Sequence, residues 1–99
     1  GIELLHIFQF DLLNAFAEGG AREGLNKTDA LVMAAQTFLG AARMVLEGGE
    51  HPEVLKDRVT SPGGTTAAGL ATLEECAVRS ACIKAVHAAT LRSRELGGS

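Results

Sequence analysis

The opening stretch GIELLHIFQFDLLNAF holds more apolar side chains than one face of a helix accommodates. Ile2, Leu5, Phe8, Leu12, Leu13 and Phe16 recur at three- and four-residue spacing, which predicts a helix from residue 2 to about 18, closing at Gly19-Gly20. Leu4, Ile7 and Phe10 fall off that stripe. A surface helix needs a single apolar stripe, whereas one apolar on several sides is buried on several sides. A 99-residue chain has few such places to offer. The core of a homodimer meets the demand most simply, and a face that binds a different protein is the other destination.

The rest of the chain is also helical in pattern. Thr28, with Asp29 in the first turn, predicts the cap of a second helix running to Gly48-Gly49. Leu31, Ala34, Ala35, Phe38, Leu39, Ala42, Val45 and Leu46 give it a broad apolar face. Gly40 in its middle costs about 1 kcal/mol against Ala, which points to close approach of another helix. A short third helix begins at HPEVLKDRV, with Pro52 in the first turn where proline is tolerated. Thr65 or Thr66 is expected to cap a fourth helix to about Glu75, and a fifth runs from about Val78 to Leu96. No strand-like alternation or internal repeat is present, so the expected fold is all-α, one domain of about five helices over residues 1–99.

Composition narrows the function. Apolar residues make up 46% of the chain and charged ones 21%, as in a globular domain with its own core and no need of disulfides. A net charge of −3 argues against a nucleic-acid partner. No continuous apolar run approaches the roughly 18 to 20 residues of a membrane span, so no membrane partner is expected. Cys76 and Cys82 stand six apart in a predicted helix, about 9 Å along its axis and out of disulfide reach. Two such thiols suit a reducing cytoplasm and read as small apolar fillers. No secretion signal is expected, and the terminal Gly97-Gly98-Ser99 reads as a linker. His6, His51 and His87 lack the spacing of metal ligands, and Glu74-Glu75 reads as a helix end, not an acid–base pair.

The segment RVTSPGGTTAAGL is the richest in chemistry. Pro62 restricts Ser61 to extended backbone, Gly63 and Gly64 permit close approach, and Thr65 and Thr66 open a helix. Free N–H groups at a positive helix end, flanked by hydroxyls, hold a carboxylate or phosphate without Lys or Arg. A tight turn before a helix accounts for the same residues.

LKDRVTSPGGTTAAGLATLEE, followed by VRSACIKAVHAATLRSREL, resembles the C-terminal signature of the pyrroline-5-carboxylate reductase family, and the likeness extends over about residues 15 to 96. The resemblance implies an all-helical domain that interlocks with its twin as a homodimer. It also implies cytoplasmic proline synthesis by hydride transfer from NADPH or NADH, a cofactor bound by a separate N-terminal domain. Carried over, Ser61, Gly63, Gly64 and Thr65 cradle the substrate carboxylate, and Thr66 hydrogen-bonds near the imine nitrogen.

No Gly-rich turn after a strand marks a dinucleotide site here, so this chain is expected to hold no cofactor and to have no catalytic residues in isolation. Other departures are local. GIELLHIFQFDLL replaces a Ser-Gly-Pro-Ala-Tyr type segment, Cys76-Ala77 stands where Gly-Gly is usual, and Lys84, His87 and Leu91 replace mostly acidic or polar residues. Ser80, Lys84, His87 and Leu91 share one helical face. Together with Ile2, Leu4, Leu5 and His6 they form a candidate face for a protein target. That pattern suggests an excised, non-catalytic domain re-engineered as a binding module. A fragment of a genuine reductase is the alternative. His6 and His87 are either a pH-sensitive contact in that face or ordinary solvated or packed side chains. On the binding-module reading the chain alone, mixed with NADPH and pyrroline-5-carboxylate, is expected to give no turnover by absorbance at the nicotinamide band; measurable oxidation of the cofactor would contradict it.

Overall fold

Helix α1, Leu4–Arg22, passes straight through the glycines expected to end it. A computed structural model describes residues 4–59 and 64–97, and of Leu4, Leu5, Arg58 and Val59 the backbone alone. Gly19 and Gly20 stay helical because the stop lies at Gly24, whose φ of 108° is left-handed. There the Leu25 N–H donates to the Gly20 carbonyl at 3.0 Å and the Gly24 N–H to the Ala21 carbonyl at 3.1 Å. These are the paired bonds of a Schellman ending. An exposed Glu18–Arg22 ion pair at 3.0 Å spans the last turn.

The next helix, α2, spans Lys27–Gly48 and starts two residues earlier than the Thr28 cap predicted. Asn26 is the cap instead: its side-chain oxygen accepts from the N–H of Thr28 at 2.9 Å and of Asp29 at 3.2 Å. Both Asn and Thr suit the position, and Asn26 takes it because the chain has only just left the Gly24 turn. Gly49, left-handed at φ 69°, closes α2 by donating to the Val45 carbonyl.

The chain divides into two compact units, Ile2–His51 and, principally, Pro52–Ser99. In the first, α1 packs on α2 around Ala17 and Ala30, which are 3% and 4% exposed. Gly20 makes the crossing possible. A Cβ there would lie 3.2 Å from Leu25 Cδ1 and 3.3 Å from Ala30 Cβ. Phe16 meets Phe38 edge-on with ring centroids 5.6 Å apart, a favoured aromatic arrangement.

The second unit holds α3 (Pro52–Val59), α4 (Thr65–Glu75) and α5 (Val78–Glu95). Pro52 opens α3 as predicted. The cap of α4 is Gly64, in extended backbone and with no side-chain hydrogen bond, so neither Thr65 nor Thr66 caps it. Cys76 and Ala77 join α4 to α5, and Ala77 is left-handed at φ 56°, ψ 43°. It is the one non-glycine with positive φ among the described residues.

The five-helix, all-α expectation holds, but the expected core of its own does not. Ala17 and Ala30 are the buried apolar residues among those described. Large side chains that a core would claim stand in the open, Leu46 at 82% exposure and Ile83 at 70%, with Ile7, Phe10, Phe16, Met33 and Leu39 also exposed. Cys76 and Cys82 are exposed too, so they are not fillers within this chain. Gly40 has no atom of another helix within 4 Å of a Cβ placed on it, contrary to the close approach expected. The reading on membrane spans is also corrected. Helix α2 has an 18-residue window of mean hydropathy 1.3, long and apolar enough to cross a bilayer by length and composition. Gln36, Thr37 and Arg43 interrupt its continuous runs, but Ala, Met, Leu and Val keep the average high. The core helix of a water-soluble protein passes the same test.

Left-handed backbone costs an alanine about 1 to 2 kcal/mol, part of which glycine gives back in unfolded-state entropy. Ala77→Gly is therefore expected to raise stability by about 1 kcal/mol, read as a higher urea midpoint at fixed protein concentration.

Candidate functional site

Two regions carry features that a function can use, one in each unit. In the first, the α1–α2 crossing leaves an open apolar cleft of about 260 Å³ beside the Phe16–Phe38 pair. Gly20, Leu25, Ala30, Met33 and Ala34 also line it. Thr37, on the same wall, turns its hydroxyl back to donate to the Met33 carbonyl at 2.7 Å. The cleft offers apolar surface and little polarity. It has the chemistry of packing, not of catalysis.

In the second unit the candidate loop leads into α4. Ser61 and Gly63 lie outside the described residues, as does Pro62. Gly64 is half-buried, and Thr65 and Thr66 form the exposed first turn. Among the described residues no side chain caps this end, and its first-turn N–H groups carry the positive dipole end common to helix starts. No acidic residue stands in that turn to neutralise it. These are the properties a carboxylate requires of a cradle.

Helix α3, which leads into the loop, is tied by charge to α5. Glu53, in the first turn of α3, pairs with Lys56 at 2.9 Å within its own helix and with Arg79 of α5 at 3.5 Å. Sequence spacing contains no signal for the second pair, because it joins residues far apart in the chain.

The candidate partner face falls on both units. Ile2 lies outside the described residues, and Leu4 and Leu5 are placed only as backbone of α1. His6 is exposed and stacks on Phe10, four residues along, with centroids 6.5 Å apart. On α5, Lys84, His87 and Leu91 are exposed while Ser80 is half-buried. Among the described residues, no group of three or more His, Cys, Asp or Glu is placed to hold a metal ion.

Comparison with known proteins gives this geometry a setting. Residues 7–96 match the family described as pyrroline-5-carboxylate reductase dimerisation. The chain is 52% identical over 90 residues to a pyrroline-5-carboxylate reductase of Methanosarcina acetivorans, covering 91% of this chain and 33% of that protein. It is 53% identical to the Arabidopsis thaliana enzyme over 90 residues, again 91% of this chain and 33% of the relative. Among solved structures, the Plasmodium falciparum pyrroline carboxylate reductase with NADP bound superposes with a TM-score of 0.86 at 30% identity, over 99% of this chain and 39% of that one. The Coxiella burnetii pyrroline-5-carboxylate reductase gives 0.85 at 41% identity, over 97% and 35%. The chain thus spans about a third of the length of the curated relatives it matches. Matched over almost all of its own length, it belongs to the pyrroline-5-carboxylate reductase family and corresponds to that family's dimerisation domain.

Proposed function

We propose that this chain is the dimerisation and substrate-carboxylate half of a pyrroline-5-carboxylate reductase. The family match over residues 7–96 carries the reading. The enzyme reduces pyrroline-5-carboxylate to proline in the cytoplasm, with NADPH or NADH held by polypeptide outside these 99 residues. Ser61, Gly63, Gly64 and Thr65 receive the substrate carboxylate, and Thr66 hydrogen-bonds near the imine nitrogen. The uncapped start of α4 supports this assignment, since its donors are uncommitted within the helix. The nicotinamide supplies the hydride, and these residues hold the acceptor in place. The similarity favours this reading over that of a designed binding module, because the chain is 52% and 53% identical to two natural reductases over 90 of its 99 residues.

A second copy of the chain is the natural cover for the exposed apolar surface. Burying a large side chain such as Leu39, Leu46 or Ile83 contributes about 1.5 to 3 kcal/mol. A few of them suffice to make the dimer obligatory, and obligate interfaces are apolar in this way. Leu91 and the other exposed residues of α5 are accounted for by the same cover. Gly40 then regains its purpose, as the place where a helix of the partner comes near.

Sedimentation at micromolar concentration is expected to give twice the 10.3 kDa mass of one chain, and a clean monomer would remove the dimer from this reading. Gly40→Ala separates the two cases further. In a solvent-exposed helix it stabilises by about 1 kcal/mol, whereas at a helix crossing between copies it lowers the dimer affinity.

For the loop, L-proline serves as the carboxylate probe. Thr66→Val is expected to weaken its binding about 10- to 100-fold, the range for a lost hydrogen bond to a charged group. Equal affinities of the two proteins by titration calorimetry would exclude Thr66 from the site.

A further inference from the structure

We infer that the turn between α4 and α5 is a two-state joint: besides the bent form, the chain takes a straight form in which the two helices run as one from Thr65 to Glu95. Ala77 is the reason. It holds left-handed backbone, φ 56° and ψ 43°, with neither the freedom of glycine nor the short polar side chain that lets asparagine settle there. Moving its φ and ψ into the right-handed region turns the bend into a helical turn.

The other local preferences at the joint favour that move. Among the described residues no side chain caps the start of α5, so the N–H groups of Val78, Arg79 and Ser80 have no partner within their helix. The first helical bond of α5 runs from the Ala81 N–H to the Ala77 carbonyl at 3.0 Å. In the straight form the three earlier donors meet the carbonyls of Glu74, Glu75 and Cys76. Charge points the same way. Glu74 and Glu75 stand at the negative end of α4 and Arg79 at the positive end of α5, each of the wrong sign for its place. Fusing the helices removes both ends and sets Glu75 and Arg79 four residues apart in the favoured order. Arg79 gives up in exchange an exposed contact with Glu53 at 3.5 Å, of a kind that contributes little.

Little holds the bend in return. No described residue of α4 or α5 is buried, and Leu73, Ile83 and Val86 are exposed. The 11 residues of α4 are too few for a helix stable on its own, and joining the 18 of α5 spares the second helix its costly first turn. The straight helix is about 46 Å long, with the first turn of α4 at the end remote from α5. The joint thus sets how far Thr65 and Thr66 stand from α5.

Double electron–electron resonance tests the joint, with nitroxides on Ala68→Cys and Ala88→Cys in a Cys76→Ser, Cys82→Ala background diluted with unlabelled chain. At 1.5 Å per residue the stretch from 68 to 88 spans about 30 Å in one helix, and any bend shortens it. Two distances are expected, one of them near that length. Ala77→Gly and Ala77→Asn accept left-handed backbone and are expected to lower the ratio of straight to bent about 10-fold. Ala77→Val, whose branched side chain resists that conformation, is expected to raise it. The shorter distance alone in the parent chain overturns the inference. A long component that persists undiminished in Ala77→Gly does the same, because Ala77 would not be its cause.

The unlabelled chain supplies the check should the labels disturb folding. The three-bond coupling between the N–H and Hα of residue 77 reads φ. The parent value is expected to lie between those of Ala77→Asn and Ala77→Val, and a value equal to that of Ala77→Asn overturns the joint.

Discussion

Burial of apolar surface is the largest favourable term in folding, and here two alanines are the apolar residues buried among those described. The crossing of α1 on α2 depends on side chains being absent: Gly20 has none, Ala17 and Ala30 have one carbon each, and the backbones meet over that gap. Small residues let helices approach closely but exclude little water. Larger groups such as Phe10, Met33, Leu39 and Ile83 are left exposed. Close contact and apolar burial, usually found together, are separated in this chain, and the proposed second copy reunites them.

The helical hairpin and the loop-bearing unit meet different physical demands. Packing surfaces tolerate exchange of one apolar group for another when volume is kept. A carboxylate cradle depends on backbone N–H groups, whose direction is set by conformation, not by side-chain identity. Gly64, the proposed cradle's described glycine, caps α4 in extended backbone and offers no side chain to the donors of the first turn. A Ser or Asp in its place would satisfy one of those donors from within.

Helix number, helix type and the order of elements were legible from three- and four-residue spacing together with proline, glycine and cap residues. The boundaries were less so, each for a local reason. Gly19-Gly20 looked like a stop because glycine weakens helices, yet the positive φ that ends α1 belongs to Gly24, and the earlier pair serves the crossing. Thr28 and Asn26 are both good caps, and only the preceding turn decides between them. Thr65 or Thr66 was read as a cap by residue type, whereas the extended backbone of Gly64 takes that position. The apolar excess of α1 was visible from its composition, but the matching exposure of α2 was masked by the assumption that a chain of this size covers itself. Of the candidate loop, Ser61 and Gly63 lie outside the described residues, so the cradle rests on Gly64, Thr65, Thr66 and the family likeness. The Glu53–Arg79 contact has no counterpart in sequence spacing, since ion pairs between distant segments follow from the fold.

The turn from Glu23 to Asn26 sets a timescale. It brings α1 and α2 together through contacts between near neighbours in sequence, and chains rich in such contacts fold in microseconds to milliseconds. Assembly of subunits is slower and depends on concentration, from milliseconds to minutes. In the proposed dimer the α1–α2 hairpin of each copy therefore forms first, and the covering of its exposed apolar side chains follows at the slower pace of assembly.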